Sequence, residues 1–187
     1  MAENHVCPWW LGYTFLGPIR TWLTGKPEEL FADYVKDGMT VLEPGPAMGF
    51  FTLPLAKMVG PKGRVIAVDI QRKMLEVLER RARKAGLQDR IETRLVKADR
   101  MGLDDLNGKV DFVLAFAMVH EVPSAADFFG RMSTVLKPQR FLYFAEPTGH
   151  VSEAKFALEL DAAGAAGFES VGRPKVRRSH AVVMRKL

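Results

Sequence analysis

Two carboxylates, each following a short apolar segment, are the side chains of this sequence best suited to hold a ligand. Glu43 follows Val41–Leu42, and Asp69 follows Val65–Val68. A loop of small residues over 45–49 lies between them, and its last glycine stands twenty residues before Asp69. Glycine lets the backbone approach a ligand closely, and an acid at the end of a second strand can accept both hydroxyl groups of a ribose. This strand–loop–helix–strand pattern predicts a nucleoside site.

The loop sequence indicates which kind of nucleoside. A dinucleotide-binding loop carries glycines in the pattern G-x-G-x-x-G, and the helix after it meets a pyrophosphate. Here Gly45, Ala47 and Gly49 form a different register, and Phe50 takes the place of the final glycine. Glu43, two residues before Gly45, would repel a pyrophosphate and attract an ammonium or sulfonium group. The pattern favours a nucleoside that carries a positive charge, and a nicotinamide-dependent dehydrogenase is the weaker alternative.

Three later segments add to this pattern: Ala98–Asp99, Val110–Phe116, and Leu136–Pro138 followed by Arg140–Phe144. Together with Glu43–Gly49 and Asp69, they resemble the motifs of the class I S-adenosylmethionine-dependent methyltransferases, whose first motif is usually [DE]-x-G-x-G-x-G. The resemblance covers residues 27–187.

The resemblance implies an α/β fold of three layers. Its centre would be a doubly wound, seven-stranded, mostly parallel sheet with an antiparallel last strand, the Rossmann-like methyltransferase fold, preceded by a short N-terminal helical lid. We expect a lid segment at 1–26 and an S-adenosylmethionine-binding domain at 27–187. The cofactor-binding residues that we expect are Tyr13, Glu43, Gly45, Pro46, Ala47, Gly49, Asp69, Ile70, Asp99, Arg100 and Ala117.

Three of these residues have specific expected roles. Asp69 would bind the ribose. Asp99 would accept the adenine amino group, although a loop carboxylate is often only a helix cap or a turn former. Ile70 would lie on the adenine face or belong to the ordinary core.

The first motif departs from the family pattern at two positions. Ala47 stands at the middle glycine, and Pro46 before it has no N–H group to offer. If Ala47 must adopt a positive φ, the strain costs about 1–2 kcal/mol. Such strain could weaken cofactor affinity and, in the extreme, leave a degenerate binding domain. That is the lesser alternative, because the ribose-side and adenine-side acids are both present.

The N-terminal stretch 5–24 contains all three tryptophans. Trp9, Tyr13, Leu16 and Arg20 follow helical spacing, so we expect a helix from near Pro8. Its aromatic faces suit a lid over a sulfonium, because an aromatic ring attracts a cation and excludes water. The alternative is a segment packed on the domain or on a second subunit.

A histidine follows the most apolar predicted strand. Residues 110–117 are apolar apart from Asp111, which is typical of a strand buried on both faces of a parallel sheet. In open α/β sheets ligands bind beyond the carboxyl ends of the strands, so His120 and Glu121 are expected near the methyl acceptor. His120 is the candidate catalytic residue, as a general base for a hydroxyl, thiol or amine, or as a group that only orients the ligand. Glu146 could contact substrate, but we expect it to hold a loop.

The methyl acceptor is expected to be a small molecule. The N-P-P-[YF] sequence typical of methyltransferases that act on exocyclic amino groups is absent, and 117–120 reads Ala-Met-Val-His instead. An RNA or protein methyltransferase that uses the basic run Arg173–Arg178 is one alternative, but a solvated turn explains that run better and we expect no nucleic-acid partner. A second alternative is a non-catalytic, cofactor-binding partner subunit. The oligomeric state is expected to be a monomer or a homodimer.

Composition sets further bounds. The chain has 187 residues, 48% hydrophobic and 26% charged, which is typical of one ordinary globular domain. A single cysteine, Cys7, fits a reducing compartment, and the four scattered histidines show no metal-ligand spacing. The N-terminal apolar run is too short and too broken to span a bilayer and lacks the features of a signal peptide. We therefore expect a cytoplasmic protein without a metal or a membrane partner.

Periodicity, caps and turn residues give the expected elements. Helices are predicted from Pro27 to about Lys36, from near Thr52 to about Val59, around Met74–Ala82, over 124–136 with Ser124 as the cap, and from Ser152 to Gly164 or Gly167. Strands are predicted at 40–43, 64–69, 91–96, 110–117 and 140–145, from Phe168, and at 181–184.

Overall fold

The structure is a computed structural model, and it describes residue 21, residues 24–97 and residues 100–187. Tyr13 and Asp99 lie outside the described residues, as does most of the expected lid. By compactness the chain divides into an N-terminal unit within Val6–Met101 and a C-terminal unit that contains Gly102–Leu187.

The N-terminal unit alternates helices and parallel strands. Its elements are α1 (Pro27–Phe31), β1 (Thr40–Pro44), α2 (Thr52–Met58), β2 (Arg64–Asp69), α3 (Arg72–Lys84) and β3 (Ile91–Leu95). β1 pairs with β2 in parallel from Thr40↔Arg64 to Pro44↔Val68, and β2 pairs with β3 in parallel as far as Asp69↔Leu95. The carboxyl ends of these three strands therefore meet at one edge.

The core of this unit forms around the buried apolar runs of its first two strands, Val41–Leu42 in β1 and Val65–Val68 in β2. The amphipathic helix α3 covers them and buries the four residues that its periodicity predicted, Met74, Leu75, Leu78 and Ala82. α3 ends next to Gly86, which has a φ of 67° and so adopts the left-handed conformation that commonly terminates a helix.

The C-terminal unit begins with the fully buried strand β4 (Val110–Phe116). It continues with α4 (Ala125–Val135), β5 (Leu136–Pro147), α5 (Glu153–Ala165), β6 (Phe168–Gly172) and β7 (Ser179–Lys186). The predicted cap forms, because the Ser124 hydroxyl accepts a hydrogen bond from Asp127 N. At the predicted start of α5 the Ser152 hydroxyl likewise accepts one from Lys155 N. Phe129 packs edge-on against Phe144 with ring centroids 5.3 Å apart.

The seven strands form one sheet in the order β3-β2-β1-β4-β5-β7-β6. β4 and β5 are parallel, whereas β7 is antiparallel to both β5 and β6. The expected fold class, a seven-stranded, mostly parallel sheet with an antiparallel last strand, is confirmed. None of the described helices is long and apolar enough to cross a membrane.

Two elements, α1 and β5, differ most from their predicted bounds. α1 ends at Phe31 rather than near Lys36, and a turn follows in which Tyr34 N and Val35 N both donate to Phe31 O, over 3.0 Å and 2.9 Å. β5 begins at Leu136 rather than 140 and runs to Pro147, since it pairs with strands on both sides. A register shift opposite Val110/Phe112 accommodates Pro138, which cannot donate to the ladder.

Candidate active site

The loop after β1 adopts the conformation that a close backbone approach requires. Gly45, Ala47 and Gly49 have φ values of 68°, 49° and 84°. Gly45 N donates to Val68 O at 2.9 Å, which ties the start of the loop to β2. Ala47 thus adopts the positive φ anticipated from its position, with the strain that this conformation gives a non-glycine residue.

Gly49 is required at its position for packing as well as for its backbone angle. A Cβ atom there would lie 2.4 Å from Leu78 Cδ1, closer than carbon atoms can pack. The neighbouring Met48 is fully buried against Met74 and Val77 of α3. The loop of the first motif therefore packs directly against α3.

Arg81 of α3 adds a polar contact to the same loop. Its guanidinium donates to the carbonyl oxygen of Met48, thirty-three residues earlier in the chain. Burial of the guanidinium lowers the pKa of Arg81. The sequence interpretation missed Arg81. Its only indication in the sequence is its place three positions after Leu78, at the border of the apolar face of the helix.

Glu43 and Asp69 stand at the carboxyl ends of neighbouring parallel strands. Glu43 is only 3% exposed and pairs in register with Ala67, two residues before Asp69. Asp69 is the last residue of β2, and its Oδ1 accepts a hydrogen bond from Gln71 N at 2.8 Å. The structure therefore brings the two expected acids to the same edge as the small-residue loop.

Three further expected cofactor residues lie in this part of the chain. Ile70 is 39% exposed, so the alternative that it belongs to the core is wrong. Pro46 is buried within the loop. Arg100 has an exposed side chain, and its N–H donates to Lys97 O at 3.1 Å in an isolated antiparallel bridge.

The C-terminal unit carries Ala117 and His120 in the segment after β4. Ala117 has a φ of 57°, and its N–H donates to Ala145 O of β5 at 2.7 Å. This residue turns the chain into a short 3-10 helix, Val119–Glu121. A strained non-glycine residue persists only where its surroundings fix it, and such residues cluster at functional sites.

Glu146, near the end of β5, organises this segment. Its side chain is fully buried, and Oε1 accepts hydrogen bonds from Val119 N at 2.7 Å and from His120 N at 3.2 Å. Oε2 lies 2.5 Å from His120 Nδ1. Glu146 therefore holds the loop, as expected, and it also orients the imidazole.

The His120 imidazole is the centre of a small charged cluster. Its side chain is 12% exposed, Nε2 lies 3.9 Å from Glu121 Oε1, and the ring meets that of His150 edge-on at 5.4 Å. Burial lowers the pKa of His120, but the hydrogen bond and charge of Glu146 and the charge of Glu121 outweigh it, so the pKa lies above its usual value.

A family model described as a methyltransferase domain matches residues 35–174, about three quarters of the sequence. The chain belongs to this methyltransferase family. The cofactor of this domain is S-adenosylmethionine, as its family and fold imply.

Individual relatives agree with this assignment. The demethylmenaquinone methyltransferase of Lactobacillus johnsonii is 35% identical over 104 residues, which make up 56% of this chain and 42% of that protein. The protein of the same name from Staphylococcus aureus is 30% identical over 127 residues, 66% of this chain and 51% of that protein. The chain spans about half the length of the curated relatives it matches.

A solved structure covers nearly the whole chain. The crystal structure of a SAM-dependent methyltransferase from Aquifex aeolicus superposes with a TM-score of 0.85 at 26% identity, over 97% of this chain and 100% of that one.

The residues of this methyltransferase domain fit the cofactor chemically. The two nearly buried carboxylates at one sheet edge have the chemistry to accept hydrogen bonds from ribose hydroxyl groups and to balance the charge of an ammonium or sulfonium. The exposed Ile70 beside Asp69 is an apolar side chain of the kind that a purine ring could cover. The strained loop over 45–49 presents backbone rather than bulky side chains.

Proposed function

We propose that the chain is an active methyltransferase that methylates a small-molecule acceptor, with His120 as the general base. We further propose that Glu43, the loop over 45–49, Asp69 and Ile70 bind the cofactor, together with Tyr13, Asp99, Arg100 and Ala117. S-adenosylmethionine, when bound, supplies a methyl group already activated on a positively charged sulfur. The tasks of the protein are then to hold the acceptor in line, to exclude water and to remove a proton.

The pairing of His120 with Glu146 is the observation that carries the proposed base. The buried carboxylate of Glu146 lies 2.5 Å from Nδ1 and accepts a hydrogen bond from the Nδ1–H group. In the neutral imidazole the other ring nitrogen, Nε2, then carries the lone pair. The nearest described carboxylate oxygen on that side, Glu121 Oε1, stands 3.9 Å from Nε2, beyond hydrogen-bond reach. Nε2 is therefore able to take a proton from an acceptor.

The proton balance follows from this arrangement. Bound S-adenosylmethionine would supply the methyl group and keep the sulfur as a thioether, so an acceptor with an O–H, N–H or S–H group would have one proton to lose. His120 Nε2 receives that proton, and Glu146 stabilises the imidazolium through the Nδ1–H hydrogen bond.

The names of the relatives support a small-molecule acceptor. Demethylmenaquinone is the acceptor in the names of the two relatives reported above, so it is the first compound to assay. A panel of phenols, thiols and amines would then define the acceptor class.

Two variants separate cofactor binding from proton removal. Asp69→Ala should weaken S-adenosylmethionine binding, measured by calorimetry, by about 100-fold, because charge-assisted hydrogen bonds are lost. His120→Ala should leave that affinity unchanged and lower kcat/KM by about 10²–10⁴-fold. Asp33→Ala, an exposed acid of the same unit, is the control and should change neither quantity.

Each alternative has its own outcome. Normal cofactor affinity in Asp69→Ala would reject the proposed ribose site, and a normal kcat/KM in His120→Ala would reject the base. Tight cofactor binding without turnover of any acceptor would favour a non-catalytic partner subunit. Transfer only to RNA, lost between 50 and 200 mM salt, would favour a polyanionic acceptor.

A further inference from the structure

The strand β3 forms one edge of the sheet, and its outer side is open. In the described part of the chain this strand pairs with β2 alone. Val96 N, just beyond β3, donates to Asp69 O at 3.0 Å, so the backbone groups of every second residue before Val96 also point towards β2. Those of Ile91, Thr93 and Leu95 therefore point away from the sheet. An open row of N–H and C=O groups is a template on which another strand can pair.

Local hydrogen bonds limit this open edge to the 5 residues of β3. At the start of the strand Ile91 N already donates to Gln88 O, and beyond its end Lys97 N donates to Arg100 O at 3.3 Å. A cleft of about 210 Å³ between α3 and β3 has Ile91 among the residues that line it, so solvent reaches the strand from the side of the helix. The open edge is therefore short and accessible.

The side chains of β3 carry both signs of charge in a symmetric order. The sequence of the strand is Ile-Glu-Thr-Arg-Leu, with an acid and a base on either side of the central threonine and an apolar residue at each end. Glu92 and Arg94 are two residues apart and so point to the same face, where Glu92 Oε1 accepts a hydrogen bond from Arg94 Nε at 2.7 Å. An edge with charges of one sign repels a second copy of itself, but this order of charges does not.

Two copies of β3 match each other when they run antiparallel with Thr93 at the two-fold axis. Each Glu92 then lies opposite the Arg94 of the second copy, and each Ile91 lies opposite the second copy's Leu95. Opposite charges directly across an antiparallel ladder stabilise the pairing. The two carboxylates and two guanidiniums alternate around a square, so each charge has two neighbours of opposite sign. The pairing also covers Leu95, whose side chain is 46% exposed in the single chain.

The backbone permits this register, and charge disfavours the registers on either side of it. Because Thr93 points its N–H and C=O groups outward, the two Thr93 residues can exchange a pair of hydrogen bonds, and each Leu95 N can donate to Ile91 O of the other copy. A register centred on Glu92 would place two carboxylates opposite each other, and one centred on Arg94 would do the same with two guanidiniums. Of the registers centred on the three inner residues, the one at Thr93 alone pairs opposite charges.

We propose that β3 is a self-association surface through which two copies of this chain form a symmetric dimer and continue the sheet across the two-fold axis. The interface is isologous, since each copy contributes the same five residues. A ladder of this length is at the small end of protein interfaces, so we expect a reversible dimer with a Kd of about 1–100 μM. The surface includes neither the loop over 45–49 nor His120, so the result does not bear on the proposed function.

Exchange of the two charges tests the pairing. Sedimentation of the full chain from about 1 to 500 μM should show a monomer–dimer equilibrium. Glu92→Arg puts arginine opposite arginine and Arg94→Glu puts acid opposite acid, so each variant alone should dimerise at least about tenfold more weakly. An equimolar mixture of the two variants should dimerise again, because every cross-strand pair of the mixed dimer joins opposite charges. Asp33→Arg, at an exposed acid of the same unit, changes the net charge by as much as Glu92→Arg and is the control that should dimerise normally.

Three results would overturn the proposal: a wild-type chain that stays monomeric over this range, single variants that dimerise as strongly as wild type, or a mixture of the two that stays monomeric. If either variant does not fold, hydrogen exchange of the wild-type chain replaces the mixture. Mass spectrometry of the peptide that contains β3 should then show slower exchange of the Thr93 and Leu95 amides at about 500 μM than at about 5 μM, because the dimer hydrogen-bonds both groups. Equal exchange at the two concentrations would overturn the proposal equally.

Discussion

Substitution of Gly49 tests how closely the first motif is moulded onto α3. Gly49→Ala places a non-glycine residue at a φ of 84°, which costs about 1–2 kcal/mol. It also forces a methyl group to within 2.4 Å of Leu78 Cδ1, in a side chain that is fully buried. Overpacking of this kind typically costs about 1–3 kcal/mol. The two effects together give a loss of about 2–5 kcal/mol, a large part of the stability of an ordinary domain.

Gly38 provides a control that isolates the steric part of this loss. It has a similar φ of 80°, but a Cβ atom there would meet nothing within 4 Å. In urea unfolding followed by circular dichroism, the free energy of unfolding of Gly38→Ala should fall only by the cost of the backbone strain, about 1–2 kcal/mol. By calorimetry Gly49→Ala should also bind S-adenosylmethionine more weakly, because the loop moves to relieve the contact, whereas Gly38→Ala should bind normally.

The result that would refute this reasoning is an equal loss of stability in Gly49→Ala and Gly38→Ala. A double-mutant cycle with Leu78→Ala provides a second check. Leu78→Ala alone should cost about 2–5 kcal/mol, and the pair should cost clearly less than the sum, because the smaller side chain accepts the new methyl group. Strict additivity would show that Leu78 is not the neighbour that excludes a side chain at position 49.

Four further variants test other parts of the molecule. Ala47→Gly relieves the strain of a φ of 49°, so we expect urea unfolding to show a gain of up to about 1 kcal/mol; a loss would mean that the packing of the Ala47 methyl group outweighs the strain. Arg81→Met removes the donor to the Met48 carbonyl oxygen and should weaken cofactor binding about tenfold by calorimetry, with partial recovery in Arg81→Lys; wild-type affinity in Arg81→Met would contradict a role in shaping the loop. Glu146→Gln removes the charge that raises the pKa of His120, so the acidic side of the pH profile of kcat/KM should move to lower pH, and the maximal rate should fall. A pH profile unchanged from wild type on its acidic side would count against the pairing of Glu146 with His120. The pKa of Glu159 rises from 4.5 to about 7 in the folded chain, so this group's contribution to stability is complete below pH 4.5 and is lost as pH rises through 7. In urea unfolding, the free energy of unfolding of Glu159→Gln relative to that of wild type should therefore increase by up to about 3 kcal/mol between pH 4.5 and pH 8. A difference that does not change with pH would contradict the assignment.

Much of the fold could be predicted from local patterns. β2 occupies the predicted residues 64–69, α4 begins after the predicted cap Ser124, and α5 begins next to Ser152, where the sequence placed its start. Apolar runs, caps and terminating glycines act over a few residues, so their effect can be read without knowledge of the rest of the chain. The seven-stranded sheet itself was expected from the resemblance of the motifs to a known family, and the alternation of strands and helices agrees with it.

The sequence also specified part of the candidate site. The spacing of Glu43, Gly45, Gly49 and Asp69 indicated a nucleoside with a positive charge, and their positions at adjacent strand ends agree with that interpretation. These residues lie close in space because a βαβ unit brings the ends of its two strands together.

Tertiary structure alone decided the contacts between residues that are distant in the sequence. Glu146 meets His120 across twenty-six residues, and Arg81 reaches Met48 across thirty-three. The burial of Glu159 could not be predicted either. An acid in a helix without a clear apolar face is expected to be exposed to solvent, and only the packing of the helix on its neighbours shows that it is buried. Whether a polar group is paired or buried depends on neighbours that come together only in the folded chain. Local secondary-structure propensity does not identify these neighbours.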